Sequence, residues 1–351
     1  MLTGKGGERR DPEINHDGQL SATTFSANGQ YLVSGGEGGV RVWRVEDGEQ
    51  MARLEAKSVQ CLAVSKDGRW IAAGSELGDV FIWSAETYEE IFTHADDNDN
   101  IFGVDFSPDS TRLVSASSAG RASVWDVATR KEILTLHHED EVWAAKYSPL
   151  GNQIATATRS SVRVYDSNDG CLLVDAQVEV TPWYNNAILW STINLFTVSH
   201  DRIKKIEAVT GSVVLEWPVP KGNFSSRIVL LQYGECIAYF AKRTVTFWDP
   251  STHTPLSDIE HSQYIRSIAL SPDDRFLAIG EEEGKITIKR LSRIVVSLVP
   301  RCTASSKQIS CSVHLSFNLH PTLGSRNPKF RLTMIHSIHG STISSRTRQH
   351  C

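Results

Sequence analysis

A chain of 351 residues, 40% hydrophobic and 22% charged, has the make-up of a soluble globular protein and excludes the collagen-like, disordered and disulfide-stapled classes. Its net charge of −5 is unevenly divided: all 41 Asp and Glu lie at or before Glu283, the body through Leu291 holds 28 Lys and Arg and carries −13, and the last 60 residues carry 8 Lys and Arg and no acid. An acidic body speaks against nucleic-acid binding, which is driven by Lys and Arg releasing counterions, so only the basic end remains a candidate for it.

Residues 1–12 read as a flexible lead without the apolar run of a secretory signal. No stretch approaches the roughly 20 apolar residues of a membrane span. An intracellular protein is therefore expected, cytoplasmic first and nuclear as the alternative, with no membrane partner. The six cysteines include no C-x-x-C pair and read as reduced and structural.

From residue 13 the chain repeats. The first unit contains "LSATTFS" (20–26), "YLVSGG" (31–36), "VRVWRV" (40–45) and "EQMARLE" (49–55), four short segments with apolar positions at period two, as strands require. The "VRVW" segment then returns down the chain. Trp43, Trp83, Trp125, Tyr165, Ile206, Trp248 and Lys289 occupy its last position at spacings of 40, 42, 40, 41, 42 and 41. A turn signal precedes most of these by about 17 residues: "SANGQ" at Ser26, "SKDGR" at Ser65, "SPDST" at Ser107, "SPLGN" at Ser148 and "SPDDR" at Ser271, with weaker copies near Ser191 and Tyr233. Four short strands cannot bury a core alone, so neighbouring units must cover both faces of each. The expected fold is all-β: a seven-bladed β-propeller of four-stranded antiparallel blades over residues 13–298.

The period, the S-P-D-G-like turn and the terminal "VWD" (124–126) and "FWD" (247–249) resemble the WD40 repeat family. The resemblance implies a hydrogen-bonded tie in each blade: a His before the first strand, Ser or Thr in the second, Trp in the third and Asp in the turn between. His16, His138 and His261 match the first position, Ser34 and Ser115 the second, and Trp43, Trp83, Trp125 and Trp248 the third; the turn Asp is mostly missing. The family also implies closure of the ring by a strand from one terminus. "PEIN" (12–15) is favoured for this over "RIVVSL" (293–298).

Catalytic signatures are thin. There is no G-x-S-x-G or H-E-x-x-H, and "LTGKGG" lacks the first glycine of a P-loop. "HHEDE" (137–141) reads as a structural His beside a solvated acidic loop rather than a metal cluster. "SHD" (199–201) is no triad, because triads are assembled by geometry rather than by adjacency. No catalytic, cofactor or metal residue is assigned, and the expectation is a non-enzymatic scaffold that binds proteins or peptides, monomeric within an assembly. The alternatives are a propeller-fold enzyme of the hydrolase or quinone-dependent oxidoreductase type, and a sensory propeller working with a separate nucleotide-switch protein.

In the architecture so implied, the loops before strand one and the turns between strands two and three emerge on one face. Glu37, Glu76, Asp79, Asp96, Asp97, Asp99, Glu139, Asp140, Glu141 and Glu281–Glu283 all fall there, as an acidic arc over five blades that would steer a basic partner segment. Arg202, Lys242 and Arg243 make a basic notch on the other two. The residue five before each turn Ser should sit at the channel mouth: Ser21, Gln60, Phe102, Trp143 and Arg266. Phe102, Trp143 and Arg266, with Tyr264 alongside, are the expected contact anchors, and Glu37, Asp97, Glu139, Glu141 and Glu282 the expected charges. Residues 299–351 break the period, are rich in Ser and Thr, and are expected to form no stable fold.

Overall fold

The computed structural model describes residues 12–95, 99–180, 188–199, 202–218, 228–231, 236–249, 252 and 254–291. All belong to Met1–Pro300, the first of the two units into which the chain divides. The basic segment 299–351 and the second closing candidate, 293–298, lie outside the described residues, as does Asp97.

Each repeat folds into a meander because its turns carry their own chemistry. The Ser65 hydroxyl donates to Asp67 Oδ1 at 2.6 Å and accepts from the Trp70 amide at 2.9 Å, closing the corner between the first two strands of blade 2. Ser107 with Asp109 and Ser271 with Asp273 make the same clasp in blades 3 and 7, at 2.6 and 2.7 Å. Ser26 uses Asn28 at 2.7 Å in blade 1. The side chain of the turn Ser thus substitutes for a backbone partner, which is why it marks every well-formed repeat.

The strands assemble into seven four-stranded antiparallel sheets. Blade 1 runs Leu20–Phe25, Tyr31–Gly36, Gly39–Arg44 and Gln50–Leu54, and the later blades repeat that order. Each inner strand neighbours that of the next blade, and the last, Ile265–Leu270, neighbours the first, so the sheets form a ring. Seven hydrophobic clusters fill it, each shared by two adjacent blades. The aromatic ruler points into these joints. Trp83 packs against blade 1, Trp125 against blade 2, Tyr165 against blade 3 and Trp43 against blade 7.

Closure comes from the N-terminal side. The strand Glu13–Asn15 pairs antiparallel with Lys285–Arg290 as the fourth strand of blade 7, with Ile14 opposite Ile286. Ile14 is 2% exposed, the His16 amide donates to the Gly284 carbonyl at 2.8 Å, and Glu13 meets Lys285 at 3.1 Å. Among the described residues no helix is long and apolar enough to cross a membrane.

Candidate protein-interaction face

Backbone hydrogen bonds bring two sets of loops to one end of the ring. The Glu37 amide donates to the Gln19 carbonyl at 3.0 Å, Glu76 to Ser58 at 2.9 Å, Ser118 to Asn100 at 2.9 Å and Glu282 to Tyr264 at 2.7 Å. In each case a second-to-third-strand turn is sewn to the loop that enters the same blade. The acids carried by these loops therefore share one end of the propeller.

The residue five before the turn Ser has a structural reason to be distinctive. In blades 1, 2, 3 and 7 the register between the first two strands slips by one at Ser21, Gln60, Phe102 and Arg266. A β-bulge leaves that residue unpaired and re-aims its side chain. In blade 4 the corresponding residue, Trp143, stands just ahead of its strand, Ala144–Tyr147, and its amide donates to the Ala157 carbonyl at 2.8 Å.

Three of these side chains hold acids. Gln60 donates through its amide to Glu76, Trp143 Nε1 donates to Glu141 Oε2 at 3.1 Å, and the Arg266 guanidinium binds Glu282. Glu282 also accepts from Gln19 Nε2 of blade 1 at 3.1 Å, across the closing joint. The rings of Phe102 and Trp143 are 7% and 6% exposed and lie largely covered, whereas Arg266 is exposed and Tyr264 is 47% exposed beneath the Arg243 guanidinium at 5.3 Å. Glu37, Glu139 and Glu283 are exposed and make no ion pair among the described residues.

Glu281 departs from the acidic arc. It is 2% exposed, accepting from His261 Nδ1 at 2.9 Å and from Ser262 Oγ at 3.2 Å. Its strand position is one of alternation, and the inward side falls to it. Sequence reading also missed Arg41 (1% exposed), which donates to the Gly38 carbonyl at 2.6 Å and meets Asp17 at 3.4 Å. A cation in the middle of "VRVW" gives no local sign that it turns inward under the Glu37 turn.

Beneath this face the ties differ from blade to blade. In blade 1, Trp43 Nε1 donates to Ser34 Oγ at 2.7 Å, which leaves the Ser34 proton for His16 Nδ1 at 2.9 Å. In blade 3, Trp125 Nε1 donates to Ser115 Oγ at 2.9 Å, with the His94 ring packed on the indole at 4.5 Å. In blade 4, His138 Nε2 pairs with Thr156 Oγ1 at 2.9 Å and Tyr165 Oη at 3.1 Å. Blade 7 replaces the tie with the His261–Glu281 pair, since Lys289 stands where the aromatic would be. Trp83, whose second-strand partner position is Ala73, stacks on Phe81 instead at 5.3 Å. The Trp248 indole N–H and the Thr197 hydroxyl of blades 6 and 5 are buried and find no hydrogen-bond partner among the described residues.

Burial and the Arg41 charge push His16 down to about 4, and burial with Arg163 does the same to His138. Both are neutral at pH 7 and act as bridges in the fold. His138 turns away from the acids that follow it, and among the described residues no group of three or more His, Cys, Asp or Glu is placed to hold a metal.

The family model described as "WD domain, G-beta repeat" matches residues 13–44, 48–84, 87–126, 130–166 and 253–288. The unmatched middle holds the blades with the orphaned Thr197 and Trp248. The chain is similar to the rat Serine-threonine kinase receptor-associated protein, at 23% identity over 226 residues, 62% of this chain and 63% of that protein. WD repeat-containing protein 1 of Xenopus tropicalis is 27% identical over 171 residues, 44% of this chain and 27% of its own length. Transcription factor unc-37 of Caenorhabditis elegans is 23% identical over 175 residues, 46% of this chain and 29% of its own. The chain thus covers less than two thirds of each of these curated relatives.

Proposed function

The chain belongs to the WD40 repeat family, and from that premise we propose that it is a non-enzymatic scaffold whose acidic end binds a basic segment of a partner protein. The observation that carries this reading is the set of exposed carboxylates Glu37, Glu139 and Glu283, gathered with Glu141 and Glu282 on loops that share one end of the ring. Such a field raises encounter rates with cationic segments and disfavours acidic ones. The covered rings of Phe102 and Trp143 support the loops, while Arg266 and Tyr264 offer the exposed contacts. Relatives named as a receptor-associated protein and a transcription factor are compatible with protein partners.

The test is affinity capture with the full chain and with a variant carrying Glu37→Lys, Glu139→Lys, Glu141→Lys and Glu283→Lys. Glu281 is spared because it is buried, and Glu282 because it braces Arg266 and Gln19. The reading expects captured proteins with Lys- or Arg-rich segments that are lost in the variant and at raised salt. Retention of every partner by the variant overturns it.

A further inference from the structure

Away from the acidic loops, at the end of the ring where the first-to-second and third-to-fourth strand turns lie, two repeat positions change character in blades 4 and 5. Two residues after the turn Ser stands the side chain that clasps it: Asn28, Asp67, Asp109 and Asp273 in blades 1, 2, 3 and 7. Blades 4 and 5 put Leu150 and Ile193 there, both exposed, Leu150 to 87%. Ser148 is clasped by Asn152 instead, at 3.1 Å. The second position is the outer-strand residue opposite the aromatic ruler: Gln50, Glu90 and Glu132 in blades 1 to 3 and Pro255 in blade 6. In blades 4 and 5 it is Leu172 and Val213, again exposed.

Their neighbours extend the change. Leu173 beside Leu172, and Val209, Val214 and Leu215 around Val213, are exposed as well. Blades 4 and 5 thus hold eight of the eleven large apolar side chains exposed among the described residues. Backbone contacts draw the eight together. The Ser167 amide donates to the Asn152 carbonyl at 3.0 Å and the Ala208 amide to the Ile193 carbonyl at 3.1 Å, so each apolar first turn lies beside the turn that leads into its own outer strand. Gly211 joins the two blades: a Cβ there would stand 2.7 Å from Val174 Cγ1, so the blade 5 turn rests on the outer strand of blade 4. A contiguous apolar strip of this kind marks an interaction surface, whereas single exposed aliphatics do not.

The outer strand of blade 5, Val213–Pro218, is also the edge of its sheet, and its one charge, Glu216, is taken by Arg202 at 3.2 Å. Edge strands are ordinarily kept apart by charge, and this one offers three consecutive exposed aliphatics. The charges around the strip indicate what covers it. From Val162 to Ala176, blade 4 carries Asp166, Asp169 and Asp175 against Arg163. From Arg202 to Pro218, blade 5 carries Arg202, Lys204 and Lys205 against Glu207 and Glu216. One side of the strip is therefore acidic and the other basic. A two-fold axis along the joint between the blades sets blade 4 of one copy against blade 5 of the other, which brings unlike charges together around an apolar centre. Elsewhere two copies of a body that carries −13 repel each other.

We propose that this outer corner is a self-association surface: a second copy of the chain docks on it as a two-fold dimer, with Leu172 and Leu173 of one copy against Val213–Leu215 of the other. The site is separate from the acidic end, does not depend on it, and departs from the monomer expected from sequence. The dimer presents two acidic ends on one assembly.

The test is sedimentation equilibrium of the full chain in reducing buffer, from about 1 to about 100 µM, and the expected result is a dimer with a Kd on the order of 10 µM or tighter. The variant Leu150→Asp, Leu172→Glu, Val213→Glu carries residues that other blades use at the same positions, so the fold is preserved, and far-UV circular dichroism checks this. It should weaken the dimer by about a hundredfold or more, and Leu172→Glu alone by about tenfold. Leu77→Asp, at an exposed leucine of blade 2, should leave association unchanged. A monomer at every concentration overturns the proposal, and so does a mass that climbs past two copies. A dimer that the triple variant retains, or that Leu77→Asp weakens equally, overturns it too. So does a dimer abolished at about 0.5 M salt, where exposed charges are largely screened, because it would belong to charged regions of the chain rather than to the apolar strip.

Discussion

Ser34 shows how much one small side chain can hold. It accepts from Trp43 Nε1 and donates to His16 Nδ1, and it is fully buried. Ser34→Ala strands both partners in a dry joint, and an unsatisfied buried polar group costs about 1–3 kcal/mol. The expected loss is about 2–4 kcal/mol in urea unfolding, whereas Thr93→Ala on an exposed outer strand should stay within about 0.5 kcal/mol. His16 and His138 add a pH dependence of definite sign. Both are pushed down to about 4 in the fold from the ordinary 6.5. The unfolded chain therefore binds protons first as pH falls. Their contribution is whole above pH 6.5 and is lost between 6.5 and 4, on the order of 2 kcal/mol per histidine by pH 5. Urea unfolding at pH 7.5 and pH 5.0 checks this, and His16→Asn should flatten the difference by roughly half.

At the scale of the element, the closing strand and the middle blades are the places to probe. The strand Glu13–Asn15 is only three residues long, yet it buries Ile14 against the Trp43 joint and supplies the outer edge of blade 7. Ile14→Asp places a charge in that joint and should destabilise the protein by about 3–5 kcal/mol. Hydrogen exchange should show protection lost first in Lys285–Arg290, and loss confined to blades 3 and 4 would refute the assignment. The middle blades offer the opposite effect. Thr197→Val removes a buried hydroxyl that has no partner among the described residues, and should stabilise by about 0.5–1 kcal/mol in thermal or urea unfolding. Residues 167–252 also escape the family match, and the physical counterpart is visible: Ile206 replaces the third-strand aromatic, and Trp248 finds no serine.

At the scale of the whole molecule, the proposed binding end has a testable salt dependence. The acidic end should bind basic segments with rates that fall steeply with ionic strength, because exposed charges are screened over about 8 Å at physiological salt. Stopped-flow association of an arginine-rich peptide at 0.05 and 0.3 M salt checks this: a steep fall in rate is expected, and a rate unchanged by salt would refute the reading.

The sequence by itself determined the number of blades, the placement of the turns and the joint-facing aromatics. Those signals are local: a serine clasps its own corner, and an apolar period of two is written within one strand. Only the tertiary structure decided which charges and rings are available. Glu281 and Glu283 are two residues apart, but one faces His261 in a buried joint and the other faces solvent. Phe102 and Trp143 share an offset with Arg266, yet the first two are buried and the third is exposed. Leu172 and Val213 belong to different repeats, and their common strip exists only because the blade 5 turn rests on blade 4. Local chemistry sets each unit; the contacts between units, made by residues far apart in the chain, set the surfaces that a partner would meet.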